Sequence, residues 1–385
     1  MNKILENTDL CTGCTACQSS CPVEAIEMVK NAKGFLYPEI NQKICIDCAR
    51  CKNVCPILNQ KNKKSLGKTY AGYTKDSLAH KKSSSGGIFA ELAKWVLEQS
   101  GCVYGAAFDQ SMILRHIRVT SLNDLDSILG SKYVQSDLGH VFADVRADLK
   151  DDQLVLFCGT SCQVAGLKSY LGHEYSNLLT ADLICHGVPS PEMFQIYLSQ
   201  VVSDKVTDYQ FRNKDRGLKK QETLIVGETG ELLRQPTQEN KYYQGFLKNL
   251  YIRPSCHSCT FKGLNRVSDF TLGDYWAVRE YDPDLANDYG TSCIVVHSPK
   301  GEEILSRLQG RLKVKPANLK SVTVWNDCFE HSAGMNPEEP AFYELIRTVS
   351  FEEAVTQLCG ETRQTRDASK IQKLRSFISR IIHQS

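Results

Sequence analysis

The sequence predicts an α+β or mixed α/β protein with two unequal parts, a small cysteine-rich domain followed by a larger mixed α/β core. First, eight of the 17 cysteines form two copies of one spacing, Cys-x2-Cys-x2-Cys-x3-Cys-Pro, within residues 1–58. Second, strand-like and helix-like segments alternate after about residue 69, as they do in α/β sheets. A chain of 385 residues is long enough to fold both parts.

The doubled cysteine run is typical of bacterial two-cluster ferredoxins, in which the fourth cysteine of each run binds the other run's cluster. We therefore assign one 4Fe–4S cluster to Cys11, Cys14, Cys17 and Cys55, and its partner to Cys45, Cys48, Cys51 and Cys21. The alternatives are a disulfide framework or zinc, although zinc sites usually separate two Cys-x2-4-Cys pairs. Residues 1–58 are thus predicted to be a ferredoxin domain that moves single electrons, with a strand at 34–40.

Composition narrows the class of protein. Charged residues make up 23% and the net charge is +2, so no overall field points to nucleic acid. The sequence has no run of about 18 apolar residues that would span a membrane, and its start lacks the apolar stretch of a signal peptide. Many cysteines without an export signal indicate a cytoplasmic protein that binds metal rather than forming disulfides. Exposed clusters would favour an anaerobic setting.

Two segments flank the core. Residues 59–68 are polar, carry four lysines and are predicted to be a linker; docking of an acidic electron carrier is a second reading of the lysines. Residues 361–385 have a net charge of about +4 and an apolar helical face formed by Ile371, Leu374, Phe377, Ile378 and Ile381. We expect this basic amphipathic helix to dock on its own domain or a partner subunit, with a membrane surface as the alternative.

Within the core, residues 69–360, apolar segments predict strands at 101–108, 113–120, 154–157, 178–184, 206–211, 222–227, 268–273 and 291–297. Helices are expected after the Ser83–Gly87 segment, from Gln163, and near Ser190. Sites in such sheets collect in the loops that follow strands.

A second set of cysteines lies in or beside those loops: Cys158, Cys162, Cys185, Cys256 and Cys259. Buried free cysteines are common, but Cys256 and Cys259 have the Cys-x2-Cys spacing of metal ligands. We predict a third iron–sulfur site that uses four of the five, with zinc at the Cys256–Cys259 pair as the main competitor. Cys102, Cys293, Cys328 and Cys359 are interpreted as core or incidental cysteines.

Three further features have both a binding and a structural reading. The Ser-Ser-Ser-Gly-Gly segment before a helix suits a phosphate, or is a serine cap. Arg212 lies in a cation-rich segment that could bind a phosphate or carboxylate. The structural alternative is a charged surface turn. His186 is the one candidate for proton transfer, and otherwise an ordinary loop histidine.

Taken together, SSSGGIFAELAKWVL, VLFCGTSCQVAGLKSYL, ADLICHGVPSPEMF, FRNKDRG, CHSCTF and DFTLGDYW resemble the coenzyme F420 hydrogenase/dehydrogenase beta-subunit family. The resemblance runs from about residue 70 to at least 300. It implies an FAD and an iron–sulfur cluster in the core, with coenzyme F420 among the acceptors. The residues that it makes candidate flavin contacts are Ser84, Ser85, Gly86, Gly87, Ser131, Lys132 and Tyr133, with Arg212 as a further candidate.

The sequence is therefore interpreted as an iron–sulfur flavoprotein oxidoreductase. Electrons would pass between the ferredoxin clusters and a small two-electron substrate through a core cluster and FAD. A redox partner protein or ferredoxin is the expected partner. The alternative is a non-catalytic electron-transfer subunit that connects to a separate enzyme.

Overall fold

The computed structural model of the protein describes residues 3–60, 65 and 67–360. The predicted tail helix at 361–385 and part of the predicted linker therefore lie outside the described residues.

The first part of the chain folds around an antiparallel pair of strands, β1 (Ile26–Lys30) and β2 (Leu36–Ile40). The strand predicted at 34–40 is confirmed as β2, whereas β1 was not predicted. Each cysteine run contributes one short helix, α1 (Ala16–Ser20) and α2 (Arg50–Asn53).

The remaining strands form two sheets. They are β3 (Lys68–Thr74), β4 (Cys102–Phe108), β5 (Leu114–Val119), β6 (Val155–Cys158), β7 (Leu178–Leu183), β8 (Val206–Asn213), β9 (Glu222–Gly227), β10 (Gly230–Pro236), β11 (Phe270–Asp274), β12 (Ser292–Val296) and β13 (Leu312–Pro316). All eight predicted core strands are present, and β3, β10 and β13 are additions. Antiparallel β8, β9 and β10 make the smaller sheet.

The larger sheet has eight strands in the order β13-β3-β12-β11-β7-β6-β4-β5. Its centre, β4-β6-β7-β11, is parallel, and its outer strands pair antiparallel. The mixed α/β prediction is thus confirmed. The carboxyl ends of β6 and β7 lie side by side, so the loops that carry the core cysteines meet at one edge.

The other helices are α3 (Ser77–Lys82), α4 (Ile88–Glu98), α5 (Val141–Lys150), α6 (Ser161–Leu171), α7 (Pro191–Val201), α8 (Lys241–Leu247), α9 (Val278–Tyr281), α10 (Pro299–Arg307), α11 (Leu319–Thr323), α12 (Glu339–Leu345) and α13 (Phe351–Cys359). Two of their starts explain how the site loops are held. Thr160 and Gln163 form a reciprocal capping box at α6. Ser190 caps α7 ahead of Pro191.

Both faces of the larger sheet are covered. Leu156 of β6 packs in one buried cluster with α4, while its neighbour Phe157 packs on the opposite face with α5 and α6. This alternation is what the two-residue period of a strand requires. A third apolar cluster joins the smaller sheet to α7, α8, α12 and α13.

Candidate functional site

The two cysteine runs adopt the same unusual backbone. Gly13 and Asp47, which precede the second cysteine of each run, have φ of 69° and 51°. Thr15 and Ala49, which follow it, have φ of 60° and 59°. Left-handed conformations are costly for residues other than glycine and persist at sites where the surroundings enforce them. Each run therefore curls around the space that its own cysteines enclose.

The structure brings the eight ferredoxin cysteines together in the crossed sets expected from their spacing. One cavity is lined by Cys11, Cys14, Cys17 and Cys55, and another by Cys21, Cys45, Cys48 and Cys51. Burial is the largest of the causes that raise the pKa of Cys14 to about 12, and the neighbouring Cys11 and Cys55 contribute to the rise. Thiolates at such a site need positive charge close by, which an iron core supplies. Cys48 is exposed, so the second cavity is the one nearer solvent.

Four of the five core cysteines surround a third cavity: Cys162, Cys185, Cys256 and Cys259. Cys162 lies in the first turn of α6, Cys185 follows β7, and the other two lie in and just after a 3-10 turn at Pro254–Ser258. Burial raises the pKa of Cys185 and of Cys256 to about 12. Cys158 does not line this cavity and faces a larger one instead.

The spacing of these thiols bears on the zinc alternative. Across the described ranges, no three His, Cys, Asp or Glu side chains are placed to hold a single metal ion. The four core thiols instead line one common cavity.

The core cavity lies against the first ferredoxin cavity. Thr12 lines both of them. A Cβ added to Gly166 of α6 would lie 2.8 Å from Cys14 Sγ, so only glycine lets the helix approach the ferredoxin domain this closely. Cys14 also adds to the electrostatic effects that raise the pKa of Cys162, after burial and Cys259.

On its other side, the core cavity borders a much larger one of about 400 Å³. Residues 160 and 185–188 line both. His186 is among them; its Nε2 is 2.6 Å from Asn249 Oδ1 and its ring stacks edge-on against Phe246. Burial lowers the pKa of His186, which disfavours the protonated imidazole at this position.

Most predicted flavin contacts line this large cavity, namely Ser84, Ser85, Gly87, Ser131, Lys132, Tyr133 and Arg212. The exception is Gly86, where a Cβ would meet the Gly72 carbonyl oxygen at 2.5 Å. Gly86 is therefore required for packing against β3, and its amide donates to Ser292 Oγ at 2.9 Å. The amide of Ser131 donates to Ser84 Oγ, which joins the two predicted loops.

The cations of the FRNKDRG segment have structural partners. Arg212 pairs through both terminal nitrogens with Asp274, with a shorter distance of 2.8 Å, and its guanidinium carbon lies 5.3 Å from the centre of the Trp276 ring. Lys214 Nζ donates to the carbonyl oxygens of Ser85, at 2.9 Å, and of Tyr289. Arg212 thus already has a carboxylate partner, and Lys214 holds the serine loop through its hydrogen bond to the Ser85 carbonyl.

Sequence reasoning did not identify three residues at these cavities. Arg253 and Lys262 line the core cavity; each lies three residues outside the Cys256–Cys259 pair, a symmetric charge pattern that could have marked them. Trp325 lines the large cavity and is 72% exposed, and no local pattern distinguishes it.

Comparison with known proteins places the chain among iron–sulfur proteins of the electron-transfer class. Residues 10–58 match a family described as a 4Fe-4S dicluster domain. Residues 152–320 match a family described as the C terminus of the beta subunit of coenzyme F420 hydrogenase/dehydrogenase. The resemblance expected from the motifs is thereby confirmed, and the second match includes all five core cysteines. The Ser84–Gly87 loop precedes that matched segment.

One solved structure similar to this chain is the F420-reducing NiFe hydrogenase complex from Methanosarcina barkeri, studied by xenon derivatization. The identity is 17%, the TM-score is 0.47, and the alignment covers 69% of this chain and 88% of that one. No curated protein matches the chain. Among the described residues, no helix is long and apolar enough to cross a bilayer.

Proposed function

We propose that the protein is an iron–sulfur flavoprotein oxidoreductase. It would pass electrons between the ferredoxin domain and a small two-electron substrate, through a core 4Fe–4S cluster held by Cys162, Cys185, Cys256 and Cys259 and through FAD. The crossed ferredoxin sets, Cys11/Cys14/Cys17/Cys55 and Cys45/Cys48/Cys51/Cys21, would hold the two outer clusters.

The observation that carries this proposal is the order of the cavities. The four-thiol core cavity shares Thr12 with the first ferredoxin cavity and residues 160 and 185–188 with the large cavity. A row of adjoining sites is what stepwise electron transfer requires. An isolated ferredoxin domain would need neither the core cavity nor the large cavity.

The large cavity suits a flavin. Its volume of about 400 Å³ is within the range of small-molecule and cofactor sites, roughly 300–1,000 Å³. Ser84 and Ser85 precede the start of α4, where free backbone amides favour an anionic group. Lys132 lines the same cavity, and its Nζ donates to the Leu129 carbonyl oxygen at 2.7 Å. When bound there, FAD would supply the conversion between single electrons and a hydride.

Cofactor content tests the proposal. After anaerobic reconstitution, the chain should contain iron and sulfide near twelve atoms each, the content of three 4Fe–4S clusters, and one FAD. Replacing Cys256 and Cys259 by serine should lower iron by about four atoms. Cys158→Ser is the matched control and should leave iron unchanged, because Cys158 lines the large cavity instead. Unchanged iron in the double variant would reject the core cluster, and absence of FAD would reject the flavoenzyme.

A second candidate function is an electron-transfer subunit without its own substrate site. Trp276 and Trp325 line the mouth of the large cavity and are 43% and 72% exposed. Exposed tryptophans suit a protein partner as well as a planar substrate. An FAD-loaded chain that exchanges electrons only in the presence of a partner subunit would favour this function. Turnover of coenzyme F420 or a nicotinamide by the isolated chain would reject it.

A further inference from the structure

Arg253 is a buried cation without a carboxylate. It is 0% exposed, and its guanidinium donates to the carbonyl oxygens of Cys11 and Leu36 at 2.6 and 2.9 Å and to Gln135 Oε1 at 2.9 Å. Its carbon lies 4.3 Å from the centre of the Tyr37 ring. Every one of these acceptors is neutral, and no ion pair of Arg253 occurs among the described residues. An unpaired buried charge is costly unless a neighbour compensates for it.

Lys262, which is half-buried, likewise lacks a carboxylate partner among the described residues. Its Nζ donates to the carbonyl oxygens of Cys185, at 2.6 Å, and of Cys328, at 2.9 Å. Arg253 and Lys262 both line the core cavity. The third cation there, Arg266, differs because it pairs with buried Asp182 at 3.0 Å. Two of the three cations are therefore uncompensated.

The three thiol-lined cavities differ in charge. Of the described residues, those that line the core cavity include Arg253, Lys262 and Arg266 but no Asp or Glu. Lys3, which is exposed, is the charged residue that lines the first ferredoxin cavity, and the Arg253 guanidinium donates to the Cys11 carbonyl beside it. Asp47 and Arg50 balance one another at the second. Arg253 is thus shared by the core and first ferredoxin sites, and Lys262 is the uncompensated cation that lines the core cavity alone.

We propose that Lys262 is a counter-charge that raises the reduction potential of the core site above that of both ferredoxin sites, so that electrons run from the ferredoxin domain inward. The inference rests on the proposed core cluster. A cubane with four thiolates is an anion and becomes more negative on reduction. Nearby uncompensated cations in a poorly screened interior favour the more negative state.

Charge balance follows directly. Each electron that reaches the core site leaves one ferredoxin site oxidised by one electron. Two such transfers are needed for every two-electron reduction at the large cavity. The external one-electron donor, a reduced ferredoxin-type carrier, then restores the ferredoxin domain.

Arg253 also acts as a positioning residue between the two sites. Its side chain binds the Cys11 carbonyl, while its amide donates to Val188 O and its carbonyl accepts from the amide of Cys256, both at 2.9 Å. One residue therefore contacts the backbone of a ligand on each side. This makes Arg253 variants prone to structural effects, so Lys262 provides the cleaner test.

The test is a redox titration of the anaerobic holoprotein, followed by electron paramagnetic resonance. We expect the core signal to titrate at the highest potential in the wild type. Lys262→Met should lower that potential by at least about 59 mV. For a one-electron couple, this lowers the ratio of reduced to oxidised core cluster at a given ambient potential at least tenfold. Arg253→Met should lower the potentials of the core site and the first ferredoxin site together, and Arg253→Lys should largely preserve both.

Lys300→Met is the matched control. Lys300 is also half-buried and also donates to two backbone carbonyls, those of Tyr175 and Leu178, but it lines none of the three cavities. It should leave all potentials unchanged. A core potential below those of the ferredoxin sites, or one that Lys262→Met does not move, would overturn the inference. Iron near eight atoms per chain would instead show that the core cluster itself is absent.

Discussion

The guanidinium of Arg253 donates a 2.6 Å hydrogen bond from Nε to the backbone carbonyl of Cys11, a residue 242 positions earlier in the chain. This bond joins the core to a predicted cluster ligand of the ferredoxin domain. Gly34 lies in a second contact between the two parts, because the carbonyl of the preceding Lys33 accepts from Ser190 Oγ at 2.6 Å. The ferredoxin domain is therefore held against the core beside the row of cavities.

Gly34→Ala should weaken this contact. A Cβ at Gly34 would lie 2.3 Å from Glu192 Cβ, and its φ is +81°. Left-handed strain costs about 1–2 kcal/mol, and overpacking adds about 1–3 kcal/mol. Gly172→Ala is the control, because φ is +79° there but nothing lies within 4 Å of the added Cβ. Anaerobic denaturation should show a larger decrease in the free energy of unfolding for Gly34→Ala than for Gly172→Ala. Equal decreases would contradict the packing argument.

The crossed assignment of the fourth cysteines predicts which thiols each substitution releases. Cys55→Ser should remove iron from the site of Cys11, Cys14 and Cys17, so that these three become open to alkylation. Cys21→Ser should do the same for Cys45, Cys48 and Cys51. Mass spectrometry of the alkylated protein identifies the released set. Release of the opposite set in either variant would show that the runs are not crossed.

The Arg212–Asp274 pair should be coupled in stability. The two side chains are 4% and 16% exposed, so Asp274→Leu leaves a buried guanidinium unpaired, at a cost of about 3–5 kcal/mol. Arg212→Met together with Asp274→Leu should cost less than Asp274→Leu alone. The exposed pair Arg307–Glu303 is the control, with an expected coupling of about 0.3–0.5 kcal/mol. A double-mutant cycle by denaturation measures both, and additive effects at Arg212 and Asp274 would contradict the pairing.

Lys214 should make stability depend on pH. Burial, followed by the nearby charge of Arg212, lowers its pKa from 10.5 to about 7 in the folded protein. Above pH 7 the folded state releases a proton that the unfolded state holds up to about pH 10.4. Unfolding therefore takes up a proton in this range, and raising the pH stabilises the folded state.

Lys214→Met removes this contribution. The free energy of unfolding of the wild type should rise relative to the variant between about pH 7 and pH 10.4, with a constant difference below pH 7. Anaerobic denaturation at several pH values measures it. Parallel curves for the two proteins across this range would show that the pKa of Lys214 is not lowered.

Local sequence patterns were enough to predict the ferredoxin clusters and most of the core strands. The spacing of the cysteine runs indicated both ferredoxin clusters, because three of the four ligands of each cluster are close in sequence and the fourth comes from the other run in a known pattern. The eight core strands were visible as apolar segments between turn residues. Strands β10 and β13 were missed because they are mostly partly exposed and carry little apolar signal.

Local sequence patterns could not predict contacts between residues that are distant in sequence. Arg212 looked like a phosphate ligand until Asp274, 62 residues away, was found beside it. Gly86 looked like part of a phosphate loop, yet its lack of a side chain is required by the Gly72 backbone. In both cases the residue type indicated a capability, and the tertiary neighbours determined how it is used.

By itself, the sequence determined that this protein has two cysteine runs suited to 4Fe–4S clusters, a mixed α/β core and five further cysteines in loops. Only the tertiary structure decided that Cys162, Cys185, Cys256 and Cys259 surround one cavity while Cys158 faces another. It also decided that Arg253 and Lys262 flank that cavity without a carboxylate. The physical reason is that burial, distance and uncompensated charge depend on how β6, β7 and the loop after Ile252 pack together, and spacing along the chain does not encode these quantities.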